Sequence, residues 1–79
     1  MSAFVYLLRC ADGSLYCGWS TDVQRRLRQH QRGVASRYTR PRQPVELVWS
    51  AACVDRSAAM REEARIKRLS RAEKLCLIG

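Results

Sequence analysis

Apolar and polar positions along the chain change period several times, and the changes mark its elements. Phe4 to Cys10 reads FVYLLRC, an apolar and aromatic run of good strand formers that stops at Ala11-Asp12-Gly13-Ser14. Asp-Gly between two such runs is a hairpin signal, so Leu15 to Trp19 is predicted to return as the antiparallel partner. Along that second strand, alternation puts Tyr16 and Gly18 on one face and Cys17 on the other. Glycine weakens a strand, and its place there predicts that backbone or ligand comes close to Gly18.

The pattern then turns helical. Ser20, Thr21 and Asp22 are good N-cap residues ahead of VQRRLRQHQR, and Gly33 supplies a stop. Val23 and Leu27, four apart, make the apolar contacts of this helix, while Arg26 and His30, also four apart, lie one above the other on an adjacent stripe. From Val34 to Pro44 the chain is an arginine-rich loop in which Pro41 and Pro44 prevent regular continuation. Val45, Leu47 and Trp49 alternate with Glu46 and Val48 as a third strand running toward Cys53. Asp55 or Ser57 caps a second helix through AAMREEARIKRL. Ser70-Arg71-Ala72-Glu73 is a capping box for a third, expected to bring Leu75, Leu77 and Ile78 back onto the core. The sum is a single α+β domain over residues 1–79: a three-stranded antiparallel sheet with about three helices, in the order ββαβαα.

Composition narrows the function. A chain of 79 residues has room for one modest core. No apolar run approaches the ~20 residues that cross a bilayer, and MSAFVYLLRC has neither a charged leader nor a small-residue cleavage site, so a cytoplasmic protein without membrane contact is expected. Cys10, Cys17, Cys53 and Cys76 form no C-x-x-C pair and only one histidine accompanies them. That spacing argues against structural zinc and for reduced thiols packed as small hydrophobes.

Charge says more. Fifteen Lys and Arg against seven Asp and Glu leave +8, and the stretch from Val23 to Val45 carries Arg25, Arg26, Arg28, Arg32, Arg37, Arg40 and Arg42 with no acid. Such an excess favours a polyanionic partner, and arginine's planar fork suits phosphate. Tyr38 within the basic loop adds a surface on which a base can stack. Two tyrosines on the paired strands, Tyr6 and Tyr16, stand beside Gly18 and the Arg26–His30 stripe. On the second helix Glu63 shares a stripe with Ala59, Met60 and Ile66, and Glu62 lies with Ala58 and Ile66; periodicity alone does not choose between the two carboxylates. A surface carboxylate paired with Lys67 or Arg65 at i+4 or i+3 is the plain alternative to a metal role.

Val5 to Arg9, DGSLYCG at Asp12 to Gly18, TDVQRRLRQH at Thr21 to His30, SRYTR at Ser36 to Arg40, PVELVWS at Pro44 to Ser50 and EARIKRLSRAEK at Glu63 to Lys74 together resemble the GIY-YIG (URI) nuclease domain, over nearly the whole chain. It is similar in particular to the small single-domain bacterial members. The resemblance implies that Tyr6 is the tyrosine of the first motif, that Tyr16 and Gly18 frame the second, that Arg26 is the catalytic arginine, that His30 is the helix histidine, and that Glu63, not Glu62, binds metal. Phe4 stands where the first motif has glycine and Cys17 where the second has isoleucine, and the chain has no asparagine to match the extra active-site asparagine of some members.

The implied chemistry is phosphodiester hydrolysis with one Mg²⁺ or Mn²⁺ ion on Glu63, a hard cation that tolerates a single carboxylate plus waters and substrate oxygens. Arg26 would stabilise the pentavalent phosphorus, a contribution of about 2–4 kcal/mol by analogy with one oxyanion donor. Tyr6 is the expected general base, helped by Tyr16, with His30 orienting it or relaying the proton. Positive charge from Arg26, His30 and the metal would have to lower a phenol pKa that is ordinarily near ~10. The expected partner is DNA, with RNA as the alternative, contacted by Arg25, Arg28, Arg37, Tyr38, Arg40 and Lys67. Branched or damaged DNA is the expected substrate class, in repair, recombination or processing. One site cuts one strand, so a double-strand break requires a transient homodimer, a second visit or a partner protein. The rival expectation is a catalytically weak DNA- or RNA-binding module on the same fold.

Overall fold

The computed structural model describes residues 2–79. Strand β1 (Ala3–Arg9) lies between β2 (Leu15–Ser20) and β3 (Glu46–Cys53), antiparallel to both, in a three-stranded sheet. Helix α1 (Val23–Gln31) follows β2, while α2 (Arg56–Lys67) and α3 (Arg71–Ile78) follow β3. The order ββαβαα is the predicted one, with a short 3₁₀ turn at Arg40–Arg42 added inside the basic loop. Pro41 fits that turn because its missing N–H is not needed at the first positions of a helix.

β1 is apolar from Ala3 to Leu8 because that stretch is covered on both faces as well as paired on both edges. Tyr6, Leu8, Cys10 and Val45 form one core cluster with Val23 and Leu27 of α1. Val5, Leu7, Cys17 and Ile66 form the other, against Leu69, Leu77 and Ile78. A strand buried on two sides reads as a continuous apolar run, not an alternating one. Tight local signals set the ends of the elements. The Asp12 carboxylate accepts from Ser14 N at 3.0 Å and Gly13 takes φ +84° in the hairpin turn. Asp22 accepts from Arg25 N and Asp55 from Ala58 N at the starts of α1 and α2, and Ser70 and Glu73 close a full capping box on α3. α1 ends in a Schellman motif: Gly33 N donates to His30 O and Val34 N to Gln29 O, with Gly33 at φ +76°.

Two expectations are corrected. Along β3, Leu8 pairs with Leu47 and Leu7 with Trp49, so Val48 is an extra residue in a β-bulge. The bulge reverses the facing of the strand on its far side: Val45 and Leu47 pack beneath α1, whereas Trp49, Ala51 and Cys53 pack against the opposite cluster. Simple alternation had put Val45, Leu47 and Trp49 together. On α3, Leu77 and Ile78 do return to the core, but Leu75 is 41% exposed. At ~100° per residue Leu75 and Leu77 stand ~200° apart around the helix, so the three apolar side chains do not share one face. None of the helices is long and apolar enough to cross a membrane among the described residues.

Candidate active site

β2 is an edge strand with α1 over one face of the sheet and α2 over the other, and a concavity of about 280 Å³ opens beside it. Tyr6, Tyr16, Gly18, Arg26, His30, Arg56 and Glu63 line it, with Trp19, Ser20, Thr21 and Ala35. The site is therefore built from two strands and two helices whose sequence separations run to more than 50 residues.

Tyr6 and Gly18 are directly opposed in the β1–β2 ladder. A methyl group added at Gly18 would fall 2.5 Å from Tyr6 Oη and 2.7 Å from Cζ, so the glycine is the recess in which the phenol lies. The close approach predicted at Gly18 is thus by a side chain of the protein itself. From there Tyr6 Oη reaches His30 Nε2 at 2.9 Å. His30 is 1% exposed and its other ring nitrogen, Nδ1, lies 2.8 Å from Thr39 Oγ1, itself fully buried. Gln43 clamps the two residues together, its Nε2 donating to His30 O at 2.5 Å and to Thr39 O at 3.0 Å.

Burial governs the protonation of this group. It pushes the Tyr6 phenol far above its ordinary range, with neighbouring Tyr16 adding to the rise and the Arg26 guanidinium acting against it. His30 goes the other way, down to about 4, chiefly because the ring is out of water and secondarily because Arg26 is close. The positive charge expected from His30 is therefore missing at neutral pH. The imidazole is neutral, with one ring nitrogen free to accept a hydrogen bond.

Tyr16 packs its ring edge on His30, centroids 5.0 Å apart, and stacks on Tyr38 at 5.8 Å. Arg42 lies over the same Tyr38 ring with Cζ 4.0 Å from the centroid, while its Nε donates to Asp12 and its Nη1 to Tyr38 O. Two of the loop's side chains are thereby used to wall the tyrosine–histidine group. Cys17, on the opposite face of β2, is buried and its thiol is pushed up to about 11 by desolvation and then by Glu63.

From α1, Arg26 enters the concavity half-buried. From α2 come Glu63 and Arg56, a residue that sequence reasoning missed. The signal was present: Arg56 and Glu63 are seven apart, about two helical turns, and so share a face. Thr39 and Gln43, also missed, sit in a loop whose irregular path no periodicity describes.

Glu63 is 22% exposed at its side chain and has Lys67 Nζ 3.5 Å from Oε1, while Glu62 pairs with Arg65. Among the described residues no three His, Cys, Asp or Glu side chains converge. One accessible carboxylate facing a wet concavity suits a hard divalent ion that fills its other positions with water and substrate oxygens, and does not suit zinc.

Of the other predicted nucleic-acid contacts, Arg25, Arg37 and Arg40 line neighbouring concavities and Arg28 lines none of these. Arg25 and Arg26 border a shallow groove with Gln29, and Arg37 and Arg40 line a second concavity with Arg32 that meets the first at Ala35. Arg28 is exposed on α1, and Lys67 is engaged by Glu63.

Residues 2–75 match the family profile of the GIY-YIG catalytic domain. A UPF0213 protein of Vibrio cholerae is 51% identical over 77 residues, spanning 96% of this chain and 76% of its own. Another, from Streptococcus agalactiae, is 47% identical over 96% of this chain and 86% of its own. Among solved structures, the solution NMR structure of a UPF0213 protein from Bacillus halodurans is similar with a TM-score of 0.62 and 45% identity, covering 99% of this chain and 83% of that one. A second solution NMR structure, of a protein from E. faecalis, has a TM-score of 0.63 and 39% identity over 94% of this chain and 79% of its own.

Proposed function

The chain belongs to the GIY-YIG family, a family of nucleases, and from that premise we propose that it is a divalent-metal-dependent endonuclease that hydrolyses DNA phosphodiester bonds. One observation carries the reading: an arginine, a carboxylate and a tyrosine hydrogen-bonded to a neutral histidine face the same 280 Å³ concavity. A binding surface needs the arginine but has no use for a buried proton acceptor behind a tyrosine.

In the proposed mechanism a water in the concavity loses its proton to Tyr6 Oη as Tyr6 passes its own proton to His30 Nε2. His30, whose charged form burial disfavours, returns that proton through Tyr6 to solvent once the bond to phosphorus has formed. The water oxygen bonds to phosphorus, the bond to the leaving sugar oxygen breaks, and that oxygen takes a proton from solvent. Tyr6 need never persist as a phenolate, which its burial forbids. Arg26, with Arg56 opposite it on α2, holds the phosphoryl oxygens and is strongest where their charge grows. Glu63 would hold Mg²⁺ or Mn²⁺, which supplies Lewis-acid neutralisation of the phosphate and the departing oxygen. Lys67, more than half exposed, leaves Glu63 at little cost when the ion binds.

Arginines directed at phosphates position a substrate without reading its bases, so weak sequence specificity and recognition by DNA shape are proposed, for repair, recombination or processing in the cytoplasm. The Lys67–Glu63 contact favours a second reading, in which Glu63 is satisfied within the protein and the domain only binds nucleic acid. Incubating the protein with linear and branched DNA and with RNA, in Mg²⁺, Mn²⁺ or EDTA, beside Arg26→Ala and Glu63→Gln, separates the two. Metal-dependent cleavage lost in both variants is the expected result. Binding with no cleavage in any metal supports the second reading, and cleavage that persists in both variants refutes the assignment of the site.

A further inference from the structure

We infer that Thr39 is a positioning residue that fixes His30 in the tautomer protonated on Nδ1, leaving the Nε2 lone pair to receive the Tyr6 proton. This role deepens the proposed nuclease reading and rests on it for its catalytic meaning, though not for its structural content. A neutral imidazole has one N–H, and a second group bonded to the ring decides which nitrogen carries it. Here both nitrogens have a partner and neither reaches water, His30 being 1% exposed and Thr39 0%.

Thr39 has a single hydroxyl hydrogen. Its Oγ1 lies 3.4 Å from the carbonyl oxygen of Ser36, a group that can only accept, and 2.8 Å from His30 Nδ1. With the hydrogen directed to the carbonyl, the threonine lone pair faces Nδ1 and calls for an N–H there. Nε2 is then bare and Tyr6 must donate to it at 2.9 Å. The chain of donors runs one way, Tyr6 to His30 to Thr39 to Ser36, and its open end is the concavity where water would give up its proton. Gln43 holds the geometry through the main-chain oxygens of both His30 and Thr39, without touching the ring. The opposite tautomer would have Nε2–H donate to Tyr6 and leave no acceptor for its proton.

Because the chain has one histidine, its imidazole nitrogens give an unambiguous ¹⁵N spectrum. In the wild-type protein without DNA or metal, Nδ1 is expected to show the protonated, pyrrole-type shift and Nε2 the pyridine-type one. Thr39→Val keeps the shape and removes the hydroxyl; it should move the proton to Nε2 or mix the two forms. It should also lower kcat by ~10²-fold, the scale of a proton-transfer group, with KM little changed. Thr39→Ser should restore both. A wild-type ring protonated on Nε2 overturns the inference, as does a folded Thr39→Val ring still protonated on Nδ1. Should Thr39→Val not fold, the wild-type spectrum and a Thr39→Ser ring unchanged from it decide. A ring protonated on Nδ1 in a protein that cuts nothing supports the tautomer assignment while refuting the nuclease reading, so the two fail separately.

Discussion

Substituting Gly18 by alanine tests the central arrangement with a single methyl group. Gly18 is not among the glycines at positive φ, so its backbone suits alanine and only the Tyr6 ring opposes the change. The new carbon would lie 2.5 Å from Oη and 2.7 Å from Cζ, against the ~3.5–4.0 Å at which such atoms rest, so one side must give by about 1 Å. Tyr6 is 2% exposed and packed with Leu8, Cys10 and Val45, which leaves it little room to retreat. Overpacking of this kind costs ~1–3 kcal/mol, and each kcal/mol lowers Tm by ~4–8 °C in a domain of this size. A 1 Å displacement also breaks the 2.9 Å contact with His30, and misplacement on that scale costs ~10²-fold in rate. Thermal unfolding and single-turnover cleavage should be measured on the wild type, Gly18→Ala, Tyr6→Phe and the double variant. If the methyl acts through the phenol, the loss of rate in Gly18→Ala disappears once Tyr6 has lost its hydroxyl, while the loss of stability, which comes from the Cζ contact, persists. Wild-type Tm and rate in Gly18→Ala would refute the packing argument, and additive rate losses in the double variant would refute the role given to Tyr6.

The depressed pKa of His30 has a pH signature. The unfolded chain binds a proton on this residue below about 6.5 and the folded protein only near 4, so its contribution to stability is complete above pH 6.5 and is lost as pH falls through 4. Urea midpoints across that window should fall more steeply in the wild type than in His30→Gln; equal slopes would mean that the ring is solvated. Thiol reagents should modify the exposed Cys76 quickly and leave Cys10 and Cys17, both buried with raised pKa values, untouched until the protein unfolds. A count of reacted thiols against time checks this, and early loss of Cys17 would contradict the packing of β2. Arg37 and Arg40 have no acidic partner among the described residues, and replacing both by alanine should reduce the slope of log affinity against log salt for duplex DNA by ~1.8. An unchanged slope would remove the second concavity from the nucleic-acid path.

The chain by itself determines whatever depends on neighbours in sequence. Asp-Gly makes the hairpin, Ser70 starts α3, Gly33 ends α1, the starts of α1 and α2 fall among the capping residues Ser20 to Asp22 and Asp55 to Ser57, and the apolar run of β1 marks a strand; each acts within a few residues, and each was legible. The same holds for the stripe that aligns Arg26 with His30, and the motif spacing carried the family. Only the tertiary structure decides what depends on contacts between distant segments. The bulge at Val48 turns Trp49 to the other face because β3 must match β1, a fact absent from its own alternation. Arg56 reaches the concavity because α2 lies against β2, and Thr39 meets His30 because the basic loop folds back on α1 and is held there by Gln43. Protonation is decided at the same level: residue type offers a phenol near 10 and an imidazole near 6.5, and burial in a packed interior drives them apart, so that both are held uncharged at neutral pH.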